Sequence, residues 1–142
     1  MIVIREYKSE DFEGLYLLLN DVYGSTIEQK ILEEKYTKGN KSIIVAEDND
    51  IGRIVGNAFI EKQIDYVRPD QILYVTYLAV EESYRGKNIG KRLMQYIEEY
   101  CRESGCSAVE FTSADYRTGA HAFYFAIGYK RKKTTHFIKQ IN

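Results

Sequence analysis

Residues 71 to 94, QILYVTYLAVEESYRGKNIGKRLM, constrain this chain more than any other stretch. A long apolar run ends at Val80, a polar loop follows, and a basic, glycine-punctuated turn opens an amphipathic helix. The apolar run suits a central strand covered on both faces. The start of a helix carries unpaired backbone N–H groups and the positive end of its dipole, so such a junction suits an anion. Gly86 and Gly90 let the backbone approach a ligand closely. Arg85, Lys87, Lys91 and Arg92 concentrate positive charge beside them. The rest of the chain does not share that bias: 20 Lys plus Arg stand against 21 Asp plus Glu, a formal net charge of −1. The anion site is therefore local, and neither nucleic acid nor membrane is an expected partner. No apolar stretch is long enough to span a bilayer.

Around this segment the 142 residues read as a single domain, 1–142, since only one proline and no Gly/Ser linker or repeat interrupts them. Residues 1 to 7 alternate as a strand does. Ser9 offers an N-cap to a helix carrying Phe12, Leu15, Tyr16, Leu19 and Tyr23. Thr26 and Gln29 have capping-box spacing for a second helix with Ile27, Ile31 and Leu32, which Gly39 is placed to stop. SIIVAED and RIVGNAFIEKQI flank Asp48, Asn49, Asp50 and Gly52 as an antiparallel hairpin. The central strand follows, then a helix with Leu93, Met94, Ile97, Tyr100 and Cys101 at helical spacing, ended by Gly105. AVEFTS makes a short strand, residues 118 to 127 a short helix, and YKRKKTTHFIKQI a last strand or hairpin. The order β-α-α-β-β-β-α-β-α-β predicts a mixed α+β sheet flanked by helices, antiparallel in its first half with parallel pairing later.

The kind of phosphate ligand is narrowed by spacing. A P-loop requires G-x-x-x-x-G-K-[ST], but three residues separate Gly86 from Gly90 and Arg92 stands where the hydroxyl residue belongs. The dinucleotide fingerprint G-x-G-x-x-G is also absent. The stretch instead resembles the GCN5-related N-acetyltransferase (GNAT) family, whose signature R/Q-x-x-G-x-G/A follows a strand ending in L-A-V or similar. RGKNIG matches it at Arg85 and Gly90, and RTGAHAFYFAIGY, residues 117 to 129, resembles the family's second motif, A-H-x-F-Y followed by Gly-aromatic. One position departs: Asn88 replaces the usual glycine. Asn is the least costly non-Gly residue at positive φ, and it could instead cap the helix through its side chain.

The resemblance covers essentially the whole chain and implies the GNAT acyl-CoA N-acyltransferase fold, a mostly antiparallel sheet with one splayed parallel pair. It implies acetyl-CoA as cosubstrate, no metal, and transfer of acetyl to a small-molecule or peptide amine. Carried over, it assigns Leu78, Ala79 and Val80 as backbone contacts to the pantetheine arm, a main-chain N–H there polarising the thioester carbonyl. It assigns Arg85, Gly86, Lys87, Asn88, Ile89, Gly90 and Lys91 to the pyrophosphate, and Arg117 and Ala120 to the cofactor's border. Tyr124 corresponds to the tyrosine that protonates the leaving thiolate. A non-catalytic acyl-CoA sensor or adaptor of the same fold is the alternative reading. Dimers are frequent in the family, so a homodimer is an expected assembly.

Other residues carry less. Thr76 stands where many relatives have a general-base glutamate, which leaves Glu61, Glu110, Asp115, a water chain or an already deprotonated amine. His121 reads as a packed or capping imidazole and the run Lys130 to Lys133 as a solvated hairpin. Cys101 and Cys106 lack metal or redox spacing and read as reduced residues of a cytoplasmic protein. Tyr23, Tyr36, Tyr66 and Tyr77 suggest an aromatic acceptor pocket, and half-exposed packing explains them equally.

Overall fold

A computed structural model describes all 142 residues. They form two compact units, Met1–Thr112 and Ser113–Asn142. The first contains β1 (Ile2–Glu6), α1 (Phe12–Tyr23), α2 (Gln29–Tyr36), β2 (Lys41–Asp48), β3 (Arg53–Gln63), β4 (Ile72–Val80), α3 (Ile89–Glu103) and β5 (Ala108–Glu110). The second contains α4 (Thr118–Ala126). The five strands lie in sequence order, antiparallel except for the parallel β4–β5 pair. This is the mixed α+β architecture that the element order predicts.

Strand alternation divides the apolar residues between two faces. Ile43 and Val45 of β2 and Phe59 of β3 pack against Leu15, Leu18 and Leu19 of α1 and Leu32 of α2. On the opposite face α3 buries Leu93, Met94 and Ile97 completely. Gly56 of β3 permits that close approach: a Cβ there would stand 3.2 Å from Leu93 Cδ1, 3.2 Å from the Ala79 carbonyl oxygen and 3.3 Å from Ala46 Cβ. Glycines also end α3 and α4. At Gly128 (φ 100°) the Tyr129 N–H reaches the Tyr124 carbonyl at 3.0 Å and the Gly128 N–H that of Phe125 at 3.1 Å. These two bonds make a Schellman cap.

Three local expectations are corrected. Ser9 begins a short 3-10 turn, Ser9–Asp11, and its hydroxyl bonds Glu33 of α2 at 3.0 Å, so it caps nothing. The backbone N–H of Lys8 is bonded instead by the Asp11 carboxylate at 2.8 Å. The Thr26–Gln29 box does not form: α2 starts at Gln29 behind Glu28, which makes no side-chain cap. Residues 129–142 form no strand. A strand needs a ladder partner, and this segment bunches Lys130, Arg131, Lys132 and Lys133 while leaving Phe137, Ile138 and Ile141 mostly exposed. The one parallel pair expected is present, as β4–β5.

Candidate functional site

The turn before α3 has the geometry of an anion cradle. The first α-helical bond of α3 runs from the Arg92 N–H to the Asn88 carbonyl, 3.0 Å. The N–H groups of Gly86, Lys87, Asn88, Ile89, Gly90 and Lys91 therefore donate to no carbonyl. Gly86 has φ 80° and Asn88 has φ 63°, with no side-chain cap from Asn88. Of the two roles open to Asn88, the structure takes left-handed backbone. Residues 85 to 88 are exposed, as a site for a soluble ligand requires.

The cations of this turn are not equivalent. Arg92 donates to the Ile2 carbonyl of β1 at 2.9 Å, and Arg85 Nε to the Val80 carbonyl at 3.3 Å. Lys87 Nζ lies 4.9 Å from the centre of the Tyr84 ring. Tyr84 in turn donates to Asp48 Oδ2 at 2.7 Å, a bond that lowers the Asp48 pKa and raises that of the phenol. Glu81 pairs with Arg53 at 2.6 Å and accepts from the Ser83 hydroxyl at 2.9 Å. Asp48, Arg53, Glu81 and Tyr84 thus hold the turn against the β2–β3 hairpin. Sequence spacing carries no signal for these contacts, because hairpin and turn lie about thirty residues apart.

Beside the cradle, β4 offers an open edge. Its pairing with β5 stops at Tyr74–Glu110, so residues 75 to 80 have no strand on that side. Unpaired main-chain groups along such an edge can accept an extended ligand as an added strand. Within this stretch β4 bulges: Asn57 faces Ala79 while Phe59 faces Thr76, leaving one extra residue on β4. Tyr77 at the bulge has φ 53°, a costly value for an aromatic residue. Ala79 is buried, Leu78 and Val80 are half-buried, and the Leu78 carbonyl accepts from the Tyr23 hydroxyl at 3.2 Å.

Tyr23, Tyr36, Tyr77 and Phe59 form one aromatic row. Ring centres are 5.3 Å apart for Tyr23–Tyr77, 5.5 Å for Phe59–Tyr77 and 4.8 Å for Tyr36–Phe59. Three of the four tyrosines singled out for the acceptor are therefore together, and the structure adds Phe59. Tyr66 has no part in the row and is 92% exposed. Glu61 and Glu110 flank Tyr74 in register on β3 and β5, and Thr76 lies on the same face of β4 as Tyr74.

In the second unit Arg117 precedes α4, and Ala120 and Tyr124 follow it on one helical face. The His121 N–H donates to the Arg117 carbonyl at 3.1 Å. Tyr124 packs its ring 5.4 Å from Phe123. Burial raises the Tyr124 phenol above its ordinary value, with Arg117 opposing. The phenol thus keeps its proton at neutral pH.

The family comparison agrees with this geometry: the acetyltransferase (GNAT) family model matches residues 4–129, and the chain belongs to that family. Among curated relatives, the chain is 26% identical over 89 residues to the D-amino-acid N-acetyltransferase HPA3 of Saccharomyces cerevisiae, covering 63% of this chain. The match spans about half, 55%, of that relative's length. Similar solved structures include an acetyltransferase from Trypanosoma brucei, with TM-score 0.87, 21% identity and coverage of 99% of this chain and 100% of that one. Another is AAC(6')-Iy in complex with the bisubstrate analogue CoA-S-monomethyl-acetylneamine, with TM-score 0.84, 17% identity and coverage of 99% and 98%. At these identities the structures establish a shared fold.

Proposed function

We propose that this protein transfers the acetyl group of acetyl-CoA to a primary amine. The observation that carries the reading is the run of undonated N–H groups from Gly86 to Lys91, at the start of α3 and next to the open edge of β4. The run is chemically suited to a pyrophosphate, and the edge to the amide-bearing pantetheine arm. A CoA adduct bound to AAC(6')-Iy, which shares the fold, supports the same ligand here.

In this reading Leu78, Ala79 and Val80 hold the arm, and a main-chain N–H among them polarises the thioester carbonyl. Arg85, Lys87 and Lys91 balance the pyrophosphate charge, while Arg117 and Ala120 border the cosubstrate. The neutral amine attacks the thioester carbon, forming the C–N bond as the C–S bond breaks. The departing thiolate takes the Tyr124 proton, and the new ammonium loses one proton to a base. Tyr124 suits the acid role because its raised pKa keeps it protonated.

The test is a panel of amines incubated with acetyl-CoA, with free thiol release followed over time. Release that depends on an amine and is lost in Tyr124→Phe supports the reaction and the assigned acid. Tight CoA binding without turnover across a broad panel would replace it with an acyl-CoA sensor. Stabilisation by ATP but not by CoA would refute both.

A further inference from the structure

Asn57 of β3 is the one polar side chain in the structure with no solvent exposure, 0%. Its Nδ2 donates to the Tyr77 carbonyl at 2.8 Å, and its Oδ1 is buried without a partner. The amide orientation follows from this bond, since exchanging the two atoms would set oxygen against oxygen. Tyr77 is the bulged residue, with left-handed φ, and its carbonyl has left the regular β3–β4 ladder. Asn57 supplies the donor that the bulge removes. It does so with an orphaned acceptor in the core, an arrangement that an apolar residue of the same shape would avoid.

We propose that Asn57 is a positioning residue for acyl transfer, pinning the β4 bulge so that the main-chain N–H groups beyond Tyr77 stay aimed at the thioester carbonyl. The inference rests on the acetyl-CoA reading and adds to it a residue that touches neither cosubstrate nor acceptor. The aromatic row fits this role. Tyr23 and Phe59 brace the Tyr77 ring, and the Tyr23 hydroxyl holds the next carbonyl, that of Leu78. Side chains thus hold two successive carbonyls of the bulge, leaving the strand little freedom to relax into regular register.

The experiment is isotope-edited infrared spectroscopy of acetyl-CoA, labelled with carbon-13 at the thioester carbonyl and bound to the full chain. No acceptor is needed. In the wild type the carbonyl band is expected to fall below its solution frequency. In Asn57→Leu that shift should shrink by at least half while the dissociation constant for acetyl-CoA changes less than threefold. Asn57→Asp adds a pH readout, because only the protonated carboxyl can donate to the Tyr77 carbonyl. Burial and the facing carbonyl raise that carboxyl's pKa, so its shift should be full at low pH and shrink as pH rises and the carboxyl ionises, with the wild-type shift unchanged. A full shift in folded Asn57→Leu overturns the proposal. Should Asn57→Leu fail to fold, a full shift in Asn57→Asp with its carboxyl ionised overturns it. A wild type that binds acetyl-CoA and shifts its band, yet acetylates no amine, contradicts the transferase reading alone.

Discussion

The Tyr84 hydroxyl donates to Asp48 Oδ2 at 2.7 Å and so joins the glycine-rich turn before α3 to the end of β2. The same ring lies under Lys87, so one residue holds both the backbone of the turn and one of its cations. Tyr84→Phe keeps the ring and removes only the bond. The expected result is CoA binding weakened by about threefold to tenfold, the scale of one ordinary net hydrogen bond. Calorimetric titration with CoA checks this, and unchanged affinity would show that the contact is structural.

The cradle itself is tested by backbone chemistry. Asn88 stands at φ 63°, where a β-branched side chain costs about 1–2 kcal/mol. Asn88→Val should lower the melting temperature and weaken CoA binding, while Asn88→Gly should bind CoA at least as well as wild type. Arg85→Ala and Gly90→Val are expected to weaken CoA as well. Unchanged affinity in both would refute the assignment of the pyrophosphate to this turn.

Packing against α3 makes a separate prediction. A side chain at position 56 would crowd Leu93, Ala46 and the Ala79 carbonyl at 3.2–3.3 Å. Gly56→Val should therefore destabilise by about 1–3 kcal/mol, read by denaturant unfolding with an unchanged slope. Because Ala79 belongs to the proposed pantetheine edge, the same variant should also bind CoA less tightly.

The Arg5–Asp11 pair predicts an acid limb of stability. Two guanidinium bonds of 2.7 and 2.8 Å reach a carboxylate only 8% exposed. Burial pushes the Asp11 pKa up, but the bonds from Arg5 and from the Lys8 N–H together outweigh it and hold the value below that of an ordinary aspartate. A lowered folded-state pKa means this stabilisation is complete above the unfolded value, about 3.9, and is lost as pH falls through the folded one. Asp11→Asn should unfold more readily at neutral pH and show a shallower further loss below pH of about 4. Melting curves across that range check the slope.

The strand–turn–helix junction that frames the candidate site is legible in the chain itself. The junction from Val80 to Gly90 could be recognised because a strand end, glycines, cations and a helix start are neighbours in the chain, so their spacing carries the chemistry. The Ser9 and Thr26 caps failed because capping is a competition: Glu33 captured the Ser9 hydroxyl, and that acceptor lies on another helix. The last strand failed because strand formation depends on a ladder partner, which local alternation does not report.

By itself, then, the sequence determined the order of elements behind the mixed sheet, the basic glycine-punctuated turn from Arg85 to Lys91 and the motif holding Tyr124, all of which rest on contiguous residues. Only the tertiary structure decided that Tyr84 answers to Asp48, that Asn57 answers to Tyr77, and that Tyr23, Tyr36, Tyr77 and Phe59 make one row. Those contacts join residues eighteen or more positions apart, and a β-bulge sets the register of those that involve Tyr77. One extra residue on a strand changes which side chains meet, and nothing in the local pattern of β4 announces it.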